Sequence, residues 1–206
     1  MRLPIRLPPG GGPESISPTA HYTGHVWQRN GISHDELGTV EGRVLFDALA
    51  PAMAVSKALG GPTLEGLLLA RHRIIDERLT EAIDGGRISQ VIEIAAGMSP
   101  RGWRFAERYG DRLTYIEADL PDMAERKCGA LERIGSLGEH HRVVEVDALR
   151  DSGPQSLAAV AETLDRSGGL AIVTEGPGSY MLTLSPTDLS GNHGRRASIG
   201  FRVVKK

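Results

Sequence analysis

Cysteine is almost absent from this chain. Cys128 stands alone among 206 residues, which excludes an internal disulfide framework and a zinc site built on thiolates, and suits a reducing compartment. An excess of either charge is lacking too. A formal net charge of -2 and an isoelectric point near 6.4 give no electrostatic reason to expect a nucleic acid or an anionic membrane as partner. No run approaches the roughly 18 apolar residues that a membrane span requires. The opening MRLPIRLPPGGGP is broken by proline and glycine before an apolar segment can form, so it does not read as a signal peptide. The expected location is the cytoplasm. Composition is otherwise ordinary, 40% hydrophobic and 24% charged, as for one globular domain with a real core.

The chemistry lies in the segment from Gln90 to Met123, QVIEIAAGMSPRGWRFAERYGDRLTYIEADLPDM. The apolar run Val91-Ile92-Glu93-Ile94 enters a loop of small residues, Ala95-Ala96-Gly97, and leaves through Ser99-Pro100-Arg101-Gly102 into a helical pattern. A second apolar run, Leu113-Thr114-Tyr115-Ile116, ends in Glu117-Ala118-Asp119. A nucleoside ligand needs such parts: small residues admit it to the backbone, a helix N-terminus offers free N–H groups, and a carboxylate after the second strand accepts from ribose hydroxyls. The three-glycine dinucleotide pattern is missing, which places a nicotinamide-dependent oxidoreductase behind the alternatives. Glu93, close to the turn, would repel a pyrophosphate but tolerate the cationic methionine moiety of S-adenosylmethionine. Two readings of Glu93 and Gly97 stay open here: cofactor-binding residues, or a strand glutamate facing a buried arginine and a plain turn glycine.

In combination and order, EIAAGMSPRGWR, YIEADLPDMAERK, VVEVDALRD and VTEG resemble the leucine carboxyl methyltransferase family and its bacterial relatives found near polyketide pathways. The opening SISPTAHYTGHVWQRNGISHDEL and the helix LLLARHRIIDERL resemble the same bacterial branch, so the likeness runs from about Ser15 to Gly176. It implies a class I S-adenosylmethionine-dependent methyltransferase: a Rossmann-like α/β fold with an N-terminal helical cap, acting on a small-molecule or protein substrate. By position it assigns the ribose to Asp119, with Glu117 as the choice of a generic Rossmann comparison, and the adenine to Asp147 and Ala148. It assigns the methionine carboxylate to Arg71, and gives Glu175 a place beside cofactor and substrate. Tyr22, His25 and Trp27 fall in the segment that caps the substrate in relatives, with His25 the nearest candidate base for a hydroxyl nucleophile. Each has a structural alternative: Asp119 capping the next helix, Asp147 solubilising a strand end, Arg71 on a solvated face, the aromatics pinning the cap.

The chain organises accordingly. Residues 1–14 read as a disordered leader, 15–86 as the helical cap, 87–176 as the cofactor half and 177–206 as a divergent tail. Within the cap, residues 37–59 have helical spacing and Thr63 caps a helix running to about Asp84, closed by Gly85-Gly86. Strands at 91–95, 113–117, 142–147 and 170–174 alternate with helices at 100–109, 121–136 and 154–167, which implies a parallel sheet covered on both faces. Two departures from the family stand out. Ala95 occupies a position where many relatives have glycine, so a positive φ there would strain the loop. After Gly176 the remaining half-sheet is missing, as if the enzyme were truncated. That leaves the fourth strand as an apolar edge open to self-association unless Met181-Leu182-Thr183-Leu184 or Phe201-Arg202-Val203-Val204 pairs with it. The scattered histidines indicate no metal site. The expectation is therefore an O-methyltransferase acting on a carboxylate or hydroxyl; the alternative is a non-catalytic S-adenosylmethionine or S-adenosylhomocysteine binder.

Overall fold

A computed structural model of the chain describes residues 18–58 and 63–174, and the backbone of residues 178–184 and 197–203. Three helices come first: α1 (Pro18–Arg29), α2 (Val40–Ala58) and α3 (Leu64–Asp84). The alternating part follows as β1 (Gln90–Ile94), α4 (Arg101–Tyr109), β2 (Thr114–Asp119), α5 (Pro121–Ile134), β3 (His141–Glu145), α6 (Leu157–Glu162) and β4 (Leu170–Thr174). The leader falls outside the described residues.

The four strands are parallel, in the order β3-β2-β1-β4. The chain builds outward from β1 to β3 and then crosses to the other side of β1. This reversal leaves a crevice at the carboxyl end of β1, where open α/β sheets bind ligands. All five residues of β1 are buried, which is why a central parallel strand reads as a nearly continuous apolar run. Alternation along the strands divides the core. Val91, Tyr115 and Val173 face one side and pack with Leu79 and Ile83 of α3 and with Phe105 and Tyr109 of α4. Ile92, Ile94, Ile116 and Ala118 face the other and meet Val160 of α6. Helices thus cover both faces, as the alternation implied.

Local signals set most boundaries. The Thr63 hydroxyl accepts from the Gly66 N–H at 3.1 Å and starts α3, while Gly86 turns the chain away at φ +66°. Pro121 opens α5, and Gly135, left-handed at φ +75°, closes it. Helix α6 is shorter than the expected 154–167: Gly153 has φ +97°, and Ser156 caps the helix by accepting from the Ala159 N–H at 3.2 Å. Helix α1 carries no strong sequence signal, since His, Tyr, Thr, Gly, Val and Trp are indifferent or poor helix formers. Burial decides it: His21, Tyr22, Thr23, Gly24, Val26 and Trp27 are all buried.

The tail takes neither of the pairings with β4 that its apolar runs offered. Rather than repairing the edge, residues of its two apolar runs pair with each other, as antiparallel β5 (Gly178–Leu184) and β6 (Ala197–Val203). Among the described residues β4 has β1 as its only strand neighbour.

Candidate functional site

The loop that leaves β1 occupies the crevice. Ala95 has φ +52°, a left-handed conformation that costs a residue with a Cβ about 1–3 kcal/mol. Ala95 is exposed, and the strain that a positive φ imposes on an alanine is present. Gly97 has the same φ, and a Cβ on it would stand 3.3 Å from the Cβ of Ala20. The cap therefore rests directly on the loop. A Cβ on Gly24, one turn along α1, would likewise lie 3.0 Å from Met98.

Asp119, at the end of β2, ties this loop to the sheet. Its Oδ2 accepts from the Gly97 N–H at 2.7 Å and its Oδ1 from the Leu120 N–H at 2.8 Å. Each oxygen keeps further lone-pair capacity. Burial pushes the Asp119 carboxyl above the ordinary aspartate range, against the opposing pull of those two amides. The next strand end adjoins it, because the Val146 N–H donates to the Asp119 carbonyl at 2.8 Å. Asp147 follows, half-exposed, its carboxylate accepting from the Leu149 N–H at 3.0 Å and the Arg150 Nε–H at 3.3 Å. Ala95, Gly97, Asp119, Asp147 and Ala148 thus share the carboxyl edge of the sheet.

The other candidates lie elsewhere. Glu93 is buried inside the sheet, its carboxylate ion-paired with Arg101 and accepting from the Tyr115 hydroxyl at 2.7 Å. This is the arrangement of a strand glutamate facing a buried arginine. Glu117, two residues before Asp119 on the same face of β2, lies deeper: Lys127 of α5 is ion-paired with it, and His141 Nε2 is 2.8 Å from its Oε1. Its carboxylate is committed to these partners, away from the edge where Asp119 stands. Tyr22 and His25 are on the side of α1 opposite Ala20 and Gly24, as their spacing dictates. Both rings meet Phe46 of α2, with centroids 5.7 and 5.2 Å away, so a catalytic position at the loop is not what this packing provides. Arg71 is on an exposed face of α3. Glu175 falls outside the described residues.

Comparison with known sequences bears on what this edge binds. The leucine carboxyl methyltransferase profile matches residues 32–187. The chain belongs to the leucine carboxyl methyltransferase family. Similar curated proteins carry the provisional name S-adenosyl-L-methionine-dependent methyltransferase. One from Mycobacterium marinum is 32% identical over 129 residues, covering 62% of this chain and 35% of the relative. One from Streptomyces coelicolor is 29% identical over 140 residues, covering 66% and 46%. A third, from Mycolicibacterium gilvum, is 26% identical over 137 residues, covering 66% and 43%. The matched part of this chain thus spans less than half the length of each.

In this member of the leucine carboxyl methyltransferase family, sequence reasoning left open a buried arginine for Glu93 without naming Arg101, and missed the Lys127 and His141 that hold Glu117. Arg101 is fully buried: its Nε donates to Asp76 Oδ1 at 2.6 Å, and one of its terminal nitrogens lies 2.8 Å from His72 Nδ1. A guanidinium can only donate, so His72 accepts there. Arg104 donates to the other Asp76 oxygen at 2.6 Å, and the Trp27 ring sits 4.9 Å from that of His72. The available signal was a glutamate inside each of two buried strands, which requires two buried cations. Among the described residues no cluster of His, Cys, Asp or Glu is arranged to hold a metal ion, and no helix is long and apolar enough to cross a membrane.

Proposed function

We propose that this chain binds S-adenosylmethionine at the carboxyl edge of β1, β2 and β3, and that the protein it represents transfers the methyl group to a carboxylate or hydroxyl oxygen of a small molecule. The observation that carries this reading is Asp119 at the carboxyl end of β2, whose carboxylate is anchored by the Gly97 and Leu120 amides yet keeps further acceptor capacity. Such an acceptor suits vicinal ribose hydroxyls. Asp147 and Ala148 would meet the adenine, the carboxylate accepting from its exocyclic amine; Arg71, on an exposed face of α3, is assigned the methionine carboxylate by the family resemblance, as a two-pronged donor. The residues at this edge fit the group: the exposed, small Ala95 leaves room for a nucleoside, and the turn lacks the three-glycine pattern of a pyrophosphate loop.

When bound, S-adenosylmethionine supplies an electrophilic methyl group on a sulfonium. The chain's own residues supply orientation, which can account for most of the acceleration of a two-reactant displacement. Asp119 fixes the nucleoside, and the loop of residues 95–97 sets its depth. A carboxylate acceptor needs no general base, whereas a hydroxyl would need one. With Tyr22 and His25 packed against Phe46, the carboxylate acceptor is the simpler fit. Glu175, outside the described residues, remains the position expected beside the acceptor.

Titration calorimetry with S-adenosylhomocysteine and with NAD tests the site. Binding of the first and not the second is expected. Asp119→Ala should weaken it by about 1–3 kcal/mol, the range for leaving buried hydrogen-bonding groups unpaired. Unchanged affinity in that variant would place the ribose elsewhere. A second reading, a cofactor binder without turnover, is favoured by β4 having a neighbour on one side alone among the described residues. A methyl-transfer assay over carboxylate and hydroxyl acceptors separates the two.

A further inference from the structure

The loop of residues 95–100 hangs between two residues that are bonded to each other. Glu93 lies two positions before Ala95, Arg101 directly follows Pro100, and their side chains form a fully buried ion pair at the base of the loop. Asp76 of α3 orients the guanidinium from the opposite side through its Nε. Ala95 itself is exposed, so packing of its methyl group does not hold it at φ +52°. A residue with a Cβ persists in that conformation only where its surroundings over-determine it. The restraints therefore act through the backbone: the Ala96 N–H to the Ala118 carbonyl at 3.3 Å, the Gly97 N–H to Asp119, and the fixed ends of the loop.

We infer that the Glu93–Arg101 pair, aligned by Asp76, is a clasp that keeps Ala95 left-handed and so presets the loop for its ligand. Arg101 and Asp76 are positioning residues in this scheme. The clasp also connects the cap to the site, because Asp76 and His72 belong to α3 and His72 carries Trp27 of α1 against it. The left-handed alanine and the buried polar cluster become one device: the cluster supplies the rigidity that a strained residue requires.

A four-variant cycle in the full chain tests this, with wild type, Asp76→Asn, Ala95→Gly and the double variant. Two readouts are taken: hydrogen exchange of the loop amides without ligand, and the dissociation constant for S-adenosylhomocysteine. The ligand readout rests on the proposed function; the exchange readout does not. Asp76→Asn should speed exchange at Gly97 and weaken binding by about tenfold, the usual scale for an outer partner of a site. Ala95→Gly in the wild-type background should change exchange at Gly97 by about twofold or less, and in the Asp76→Asn background it should restore most of the loss, because glycine adopts φ +52° without strain. Should Asp76→Asn not fold, Arg101→Lys, which keeps the charge and loses the fork, replaces it in the same cycle. Rescue in the exchange readout supports the clasp even if the chain binds no S-adenosylhomocysteine, an outcome that would defeat the proposed site instead. Equal effects of Ala95→Gly in both backgrounds would overturn the clasp.

Discussion

Glu93 and Glu117 are register partners on neighbouring parallel strands, and both are buried. Adjacent strands lie about 4.8 Å apart, so two carboxylates stand side by side beneath the helices. Each has its own cation: Arg101 at the start of α4 for Glu93, and Lys127 in the middle of α5 for Glu117. Gly102 packs directly on Glu117, since a Cβ there would meet its Oε1 at 2.2 Å. Removing one member of such a pair is costly because the other charge remains buried.

Lys127→Met should therefore destabilise the protein by about 3–5 kcal/mol, and adding Glu117→Gln should recover a large part of that loss. Urea unfolding of the two variants is the check. A double variant no more stable than Lys127→Met would mean that the packing of the lysine stem, not its charge, is what matters.

Acid should expose the same pair. Burial pushes the Glu117 carboxyl up, but Lys127 and His141 together outweigh it and hold it below the ordinary glutamate range. Its folded pKa lies below its unfolded one, so as pH falls the unfolded chain takes up the proton first. The stability this group contributes is complete above the unfolded value, about 4.3, and is lost as pH falls through the folded value. Thermal unfolding followed from pH 6 downward should show a shallower acid limb in Glu117→Gln than in wild type.

Arg71 is assigned to the methionine carboxylate, which S-adenosylhomocysteine has and adenosine lacks. Arg71→Ala should raise the dissociation constant for the first by about tenfold, the scale of a charge-assisted hydrogen bond, and leave the second nearly unchanged. Equal losses measured by calorimetry would make Arg71 structural.

The side of β4 that has no strand neighbour among the described residues borders an apolar groove of about 400 Å³, lined by Ile74, Ile75 and Leu79 of α3 together with residues 171–174. An unpaired strand edge beside exposed isoleucine invites pairing with another chain. Light scattering behind size-exclusion chromatography should show concentration-dependent association, reduced by Ile74→Lys, since Ile74 is 58% exposed. A monomer at all concentrations would remove this edge as an interface.

Much of this architecture was legible in one dimension. Residues 91–94 and 113–116 announce buried strands, Thr63 and Gly85-Gly86 mark the ends of α3 through their own side-chain and backbone chemistry, and the alternation of strand and helix leaves parallel pairing as the economical solution. For Ala95 the residues alone set only the condition that a positive φ there would strain the loop; the structure supplies the φ of +52°. Folding decided what each charge faces. Glu93, Glu117 and Asp119 point to the same side of the sheet by the alternation of strands, and sequence could not rank their depth. Only the seating of α4 and α5 places Arg101 and Lys127 under the first two and leaves Asp119 at the rim. Helix α1 owes its existence to the surface it covers rather than to its residues, and the direction of Tyr22 and His25 toward Phe46 follows from that packing. Local chemistry acts over a few residues and can be read along the chain; a buried ion pair joins residues that meet only once the layers close.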